Sequence, residues 1–394
     1  MNQNNQPNNF SRRDWLRSST LALGGTAIAA SLPWGAMAST SKPFWNNTPR
    51  MTTRPFNWWE YPLKAKLNAN ENKFGPSKMA QLALINSAGS GNFYAHNQVL
   101  DLQKKIAEKE GVKPEQIMIG PGSTDLLEKV AVISFMDGKG NVVSADPAYM
   151  SVVRSAQNVG AEWKNIPCKA DWSHDLDAMY SAIDKETKLV YVCNPNNPTG
   201  APTDSVKLKT FCKKASKKVP VFVDEAYLEF MDTDANSVVG LINEGDDLIL
   251  SRTFSKIHGM AGLRVGYIVA KEDRIKAINT ILRASYNPSV TSLYAAMASM
   301  DDTDYLKMSY DKNLESKAYT TKKLKEMGLD PIPSQTSFMF FPLPIDGEAY
   351  MKGMYEKGVG VRLFDIDGKP WGRVSMGTMD EMKMFTSTLT KVIA

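Results

Sequence analysis

Five side chains in two short strings could carry amine chemistry on a phosphorylated ring: Asp224 and Tyr227 in VFVDEAY, and Ser255, Lys256 and Arg264 in SRTFSKIHGMAGLRVGY. A lysine is a nucleophile when its amine is neutral, and desolvation or a nearby cation favours that form. Lys256 stands among apolar residues, with Arg264 eight positions on. Asp224 closes the apolar run VPVFVD, which reads as a buried strand. Its carboxylate therefore emerges at the strand's C-terminal end, where open α/β sheets place ligands. An ionised aspartate there would keep a heterocyclic nitrogen protonated and make the ring an electron sink. Taken singly, each residue is most simply a solvated surface group in a chain with 23% charged residues. Their joint order is what points to a site.

Two upstream segments add groups of the same kind. YVCNPNNPTG follows an apolar strand and supplies Asn197 ahead of Pro198, Thr199 and Gly200, although such a string alone is only a turn. IMIGPGSTDLLEKVAVISF reads as strand, glycine-rich turn and helix, with Leu126, Leu127, Val130 and Ala131 on one face. Gly122, Ser123 and Thr124 then lie at a helix N-terminus, which attracts phosphate, while helix capping accounts for the Ser and Thr equally well. Tyr149 in ADPAYM could stack on a flat ring or be a core tyrosine. An amine for a Schiff base, a carboxylate at a ring nitrogen, a phenol or amide at a ring oxygen, and hydroxyls with a cation around a phosphate are what pyridoxal phosphate needs.

With these motifs in order, the chain from LNANENKFGPS at Leu67 to RVSMGT at Arg373 resembles the fold-type I pyridoxal phosphate aminotransferases of class I/II, most closely histidinol-phosphate aminotransferases. The resemblance implies an α/β fold, a large domain with a mostly parallel sheet plus a smaller α+β C-terminal domain. It implies that Lys256 bonds the cofactor and shuttles the proton, that Asp224 pairs with the ring nitrogen, and that Tyr227 and Asn197 bind its 3-oxygen. Tyr149 would stack on the ring. Ser123, Thr124, Ser255 and Arg264 would hold the phosphate, joined by Tyr94 from a partner subunit of a homodimer, and Arg373 would clamp the substrate carboxylate or its equivalent. Arg362 in GVGVRLF is a second cation near that end, suited to a further acidic group or to a surface ion pair. Lys73 stands where the family has proline, NFYAH around Tyr94 lacks the family's Arg-Tyr-Pro, and His258 and Trp371 are unusual choices. These departures remove no group the cofactor needs and leave substrate choice open.

The N-terminus carries a separate signal. After an Asn- and Gln-rich start come Ser11-Arg12-Arg13-Asp14-Trp15-Leu16-Arg17, a mildly apolar run from Leu21 to Leu32, and Ala36-Met37-Ala38. That is the layout of a twin-arginine signal peptide with a small-residue cleavage site, and the run is too short and too rich in small residues for a good membrane span. Such export moves folded proteins, which suits an enzyme that captures its cofactor before leaving, so a periplasmic location is expected. Net charge is +5, and the signal carries three Arg against one Asp, so cleavage leaves about +3. So mild a balance gives no nucleic-acid reading. Cys168, Cys193 and Cys212 are not in metal spacing, and with three histidines besides, no metal site is expected; a disulfide among them is not required.

The expected organisation is a signal over 1–38, an arm over 39–74 with little regular structure to about 66, a large cofactor-binding domain over 75–288 and a small domain over 289–394. Apolar runs at Asn141–Ala145, Leu189–Cys193, Val219–Asp224, Leu248–Ser251 and Val265–Ala270 read as core strands. Helical periodicity returns from Ser289 to Met327, followed by short strands at Ser337–Phe341, Gly360–Leu363 and Arg373–Met376 and a helix after Thr378. The function expected is transfer of an amino group between an amino acid, or a histidinol-phosphate-like amine, and a 2-oxo acid. Decarboxylase, lyase or racemase relatives share the same cofactor contacts, and a non-catalytic periplasmic binding protein of the same fold is a further alternative.

Overall fold

The computed structural model describes residues 60–281 and 287–394, so the twin-arginine segment and most of the arm lie outside the described residues. After the two-residue strand β1 (Ala65–Lys66), seven strands form one sheet: β2 (Ile117–Gly120), β3 (Asn141–Asp146), β4 (Glu162–Pro167), β5 (Thr187–Cys193), β6 (Val221–Asp224), β7 (Leu248–Thr253) and β8 (Gly266–Ala270). Their order is β2-β8-β7-β6-β5-β3-β4. Only β8 runs against the others, pairing antiparallel with β2 and β7. Strands buried on both faces need near-continuous apolar sequence, and every residue of β2, β6, β7 and β8 is buried. One face packs on Leu102, Ile106, Leu208 and Phe211, the other on Leu126, Leu127, Val130, Val152 and Ile275. The helix Ser123–Ser134 buries the four apolar residues expected on its inner face.

The later strands β9 (Phe338–Pro342), β10 (Val359–Gly360), β11 (Arg362–Ile366) and β12 (Lys369–Ser375) form a second, three-stranded sheet and, with β1, a short two-stranded one. β11, β12 and β9 pair antiparallel in that order, while β10 pairs parallel with β1. Helices Thr303–Glu326, Gly347–Glu356 and Met379–Ile393 cover them around Leu324, Phe341, Tyr350, Met354 and Phe385.

The structure departs from the sequence reading in three places. The helical stretch expected over 289–327 breaks at Asp302, whose carboxylate accepts the Tyr305 N–H and caps a new helix. Its first part, Val290–Asp301, packs Leu293, Ala295 and Ala296 into the core of the seven-stranded sheet. The strand expected over 360–363 is two, β10 and β11, parted at Val361 because each pairs with a different neighbour. β4 was not expected from the sequence: it is a half-exposed edge strand, with no apolar run to mark it.

The turn that carries Lys256 is clamped by close backbone approach. Gly259 has φ 70°, and a Cβ there would run into the Gly75 carbonyl oxygen. Gly259→Ala therefore combines left-handed strain with a backbone clash and should lower unfolding stability by roughly 2–4 kcal/mol. Urea denaturation measures this, and an unchanged midpoint would mean that the two segments separate without cost.

Candidate active site

A cavity of about 780 Å³ opens at the C-terminal ends of β5, β6 and β7 and is bounded on another side by residues of β11 and β12. In-register pairing sets Cys193, Asp224 and Ser251 side by side across β5, β6 and β7, so their side chains share one face. Asp224 is 2% exposed. Its Oδ1 accepts from the Ser251 hydroxyl at 2.7 Å and the Ala226 N–H at 3.2 Å, and its Oδ2 accepts from the Tyr191 hydroxyl at 3.3 Å. Burial raises its pKa and these hydrogen bonds offset part of the rise. All three donors are neutral, which leaves this buried carboxylate suited to a cationic N–H presented from the cavity.

Lys256 follows β7 directly and lines the cavity, half-buried. Its Nζ donates to the Asn70 carbonyl at 3.0 Å and lies 5.4 Å from the Tyr227 ring centroid. Burial, with Arg373 and Arg264 adding repulsion against the pull of Asp224, lowers its pKa to about 8. Tyr227 is buried, and its oxygen accepts from Asn70 Nδ2 at 2.7 Å, so its own proton is free to point elsewhere. Asn197 accepts at Oδ1 from Arg373 Nη1 at 2.6 Å, which turns its amide NH2 away from the arginine.

At the opposite end the helix Ser123–Ser134 begins after Gly122, which has φ 87° and provides no side-chain cap. The capping alternative for Ser123 and Thr124 therefore falls away, and the first amides of the helix stay free for an anion. Ser123, Thr124 and Ser255 line the cavity there with Arg264. Arg264 Nη1 donates to Ser255 Oγ at 3.4 Å and to the Ala261 carbonyl at 3.0 Å. A Cβ on Gly122 would occupy the place of that guanidinium. Tyr149 lines the wall between the two ends, its hydroxyl 3.4 Å from Thr124 Oγ1.

Arg373 on β12 is 7% exposed, lies 5.1 Å and 5.2 Å from the Phe338 and Phe364 ring centroids, and keeps a buried Nε without a partner. Burial lowers its pKa to about 10, with Arg362 adding to the depression. Arg362 on β11 lies directly across the ladder from Arg373 and also lines the cavity.

One cavity thus brings together every expected site residue except two. Gly122 lies just behind the wall, against Arg264, and Tyr94 is 81% exposed with its ring 6.0 Å from that of His96, outside the cavity of its own chain. Sequence reasoning missed Asn70, Ser251, Tyr191 and Phe364. Asn70 is the hub, because it also accepts from the Ser375 hydroxyl at 2.8 Å and so ties Lys256 and Tyr227 to β12. A polar residue inside the apolar run LILSRT and the Asn-Glu-Asn cluster were the available signals.

Residues 63–389 match the family model for aminotransferase class I and II. The chain belongs to the class I and II aminotransferases. The histidinol-phosphate aminotransferase of Brevibacillus brevis is 34% identical over 330 residues, covering 83% of this chain and 90% of that protein. Histidinol-phosphate aminotransferase 2 of Hydrogenovibrio crunogenus is 36% identical, covering 84% and 88%. The solved histidinol-phosphate aminotransferase from Sinorhizobium meliloti, in complex with pyridoxal-5'-phosphate, superposes with a TM-score of 0.81 at 26% identity, over 90% of this chain and 98% of that one. This aminotransferase is a pyridoxal phosphate-dependent enzyme with the fold-type I architecture. Its cavity suits the cofactor at both ends, an uncapped helix start with hydroxyls and a guanidinium for the phosphate and a buried carboxylate hydrogen-bonded only by neutral donors for the ring nitrogen. Among the described residues no group of three or more His, Cys, Asp or Glu could hold a metal ion, and the three cysteines are free thiols.

The lowered pKa of Lys256 has two measurable signs. Its amine is neutral above about pH 8, so recombination of cofactor-free aminotransferase with pyridoxal phosphate should quicken up to about pH 8–9 and then level. Because the unfolded lysine titrates at 10.5, this group's penalty on the folded cofactor-free protein is full below pH 8 and fades as pH rises from about 8 to 10.5. Lys256→Met removes both the recombination and that rise in stability. A recombination rate that climbs without a break to pH 10.5 would contradict the assignment.

Proposed function

We propose that this aminotransferase moves an amino group between an amino acid, or a histidinol-phosphate-like amine, and an acidic 2-oxo acid, with Arg373 and Arg362 holding the substrate's anions. The observation that carries this reading is the cross-strand pair Arg362 and Arg373 facing the cavity. Like charges directly opposite on a ladder repel, and among the described residues the arginines in ion pairs are Arg252 and Arg274. An anion between the two relieves the repulsion and meets the free Arg373 Nε.

The remaining roles follow from which protons are already committed. Ser123, Thr124, Ser255 and Arg264 bind the cofactor phosphate, with Gly122 leaving room for the arginine. Tyr227 and Asn197 both present donors to the ring's 3-oxygen, since Asn70 and Arg373 occupy their acceptor atoms. Asp224 holds the proton on the ring nitrogen, and Tyr149 covers the ring. Pyridoxal phosphate, when bound, supplies the electron sink for the substrate's Cα–H electrons. Lys256 Nζ takes that proton and returns it, a task suited to an amine with a pKa of about 8.

The reading extends to compartment and assembly. The Arg12-Arg13 segment, the apolar run and Ala36-Met37-Ala38 support export through the twin-arginine machinery to the periplasm. Outside the cytoplasm, free amino acids with aromatic or similarly bulky side chains are the expected donors, with weaker or no dependence on a substrate phosphate. The outward Tyr94, in the segment resembling the family's cross-subunit phosphate contact, supports a homodimer.

Assay of the holoenzyme with a panel of donors and 2-oxoglutarate tests the chemistry. Asp224→Asn should cut kcat by about 10²-fold or more, whereas Arg264→Ala should mainly weaken cofactor retention and Arg373→Lys should mainly raise KM for the 2-oxo acid. Equal, mild losses from all three would make them structural residues, and a strong preference for histidinol phosphate over every free amino acid would overturn the donor assignment.

Cell fractionation and sedimentation test the rest. A signal-cleaved enzyme is expected in the periplasm as a dimer, and Arg12→Lys with Arg13→Lys should hold it inside. An uncleaved cytoplasmic protein, or a fully active monomer, would refute the corresponding half.

A further inference from the structure

Trp172 has backbone φ 65°, a conformation that a bulky L-residue adopts only when its surroundings impose it. It sits in the connection between β4 of the seven-stranded sheet and the helix Leu176–Ser181. That connection is stapled at both ends. The Cys168 N–H donates to the Asp146 carbonyl at 3.0 Å, the Asp171 carboxylate accepts from the Ser173 hydroxyl at 2.6 Å, and the buried His174 lies 2.7 Å through Nδ1 from Thr203 Oγ1. The stapled loop projects the indole onto the smaller sheet. Its ring meets Trp371 edge-on at 4.9 Å between centroids and Phe340 edge-on at 6.3 Å, Trp371 stacks on Phe340 at 5.0 Å and 16°, and Phe340 meets Phe364 edge-on at 5.5 Å. Phe364 is the cavity-wall ring that faces the Arg373 guanidinium.

The ladder explains why these rings share a face. Trp371 is directly opposite Phe364, and Arg373 is directly opposite Phe340 on one side and Arg362 on the other. A displacement of Trp371 therefore presses on both the ring over Arg373 and the strand neighbour beneath it. We propose that Trp172 is a positioning residue for substrate recognition, a prop from the large-sheet side that holds Phe364, through Trp371 and Phe340, against the guanidinium of Arg373. Trp172 touches no reacting atom and sets how well the anion end is formed before substrate arrives. This rests on the reading that Arg373 holds a substrate anion.

The two claims separate in steady-state kinetics of the holoenzyme. Trp172→Ala should raise KM for the 2-oxo acid about tenfold while kcat and cofactor content change less than about twofold, and Trp172→Phe should restore KM to within about threefold. Arg373→Lys is the control: if it leaves KM unchanged, the substrate-anion reading fails, whereas if it raises KM and Trp172→Ala does not, the prop fails. Loss of kcat or cofactor without a KM effect, or a Trp172→Phe enzyme that melts like the wild type yet keeps the raised KM, also overturns it. Should Trp172→Ala not fold, Trp371→Leu removes the nearer of the two rings through which Trp172 reaches Phe364 and should likewise raise KM with kcat little changed, and an unchanged KM in that variant overturns the prop.

Discussion

The site is organised around an excess of positive charge gathered next to one buried carboxylate. Lys256, Arg264 and Arg373 converge on a cavity whose buried acid is Asp224, and Arg362 and Arg154 add two further cations against Glu71 and Glu128. Burial and mutual repulsion depress the pKa of both Lys256 and Arg373. A site left in that condition is costly to the fold, and under the proposed function the cost is lifted by two anions, the cofactor phosphate at one end and a substrate carboxylate at the other. The same imbalance that lowers the lysine's pKa would, on that proposal, favour binding of both anions.

Holding those cations together takes three parts of the chain. The parallel strands deliver Asp224 and Lys256 from neighbouring C-terminal ends, β12 delivers Arg373, and the segment after β1 delivers Asn70. Asn70 closes the circuit with its backbone carbonyl on Lys256, its amide on Tyr227 and its side-chain oxygen toward Ser375. Three ordinary hydrogen bonds from one buried side chain and its backbone thereby couple the amine, the phenol and the smaller sheet.

What could be read from the sequence was whatever lies within a few residues of its own signal. Asp224 at the end of an apolar run, Lys256 after Ser255 and the Gly122-Ser123-Thr124 turn each announce themselves locally, and the buried parallel strands do so because both faces demand apolar residues. Tyr191 is hidden, since a tyrosine inside YVC looks like core, and only the register of β5 against β6 brings its hydroxyl to Asp224. Phe364 is hidden for the same reason: its meaning depends on β12 lying beside β11. The break at Asp302 was missed because helical periodicity persists on both sides of it while the cap is a single residue.

Register between β6 and β7 is therefore the quantity the fold has to protect, and its safeguard lies on the far side of the sheet. Successive residues of a strand face opposite ways, so where Asp224 and Ser251 meet toward the cavity, Glu225 and Arg252 meet away from it. Arg252 donates to Glu225 Oε2 through Nε at 3.1 Å and Nη2 at 3.0 Å and to Ser237 at 2.8 Å, all buried, and to the part-buried Glu110 at 2.8 Å. Such a buried network adds little net stability compared with apolar packing, yet a one-residue slip would strand charges without partners, at a cost of several kcal/mol. The pair behind the sheet does no chemistry. It makes the alignment of the aspartate and the lysine in front of it the only one the strands can adopt cheaply.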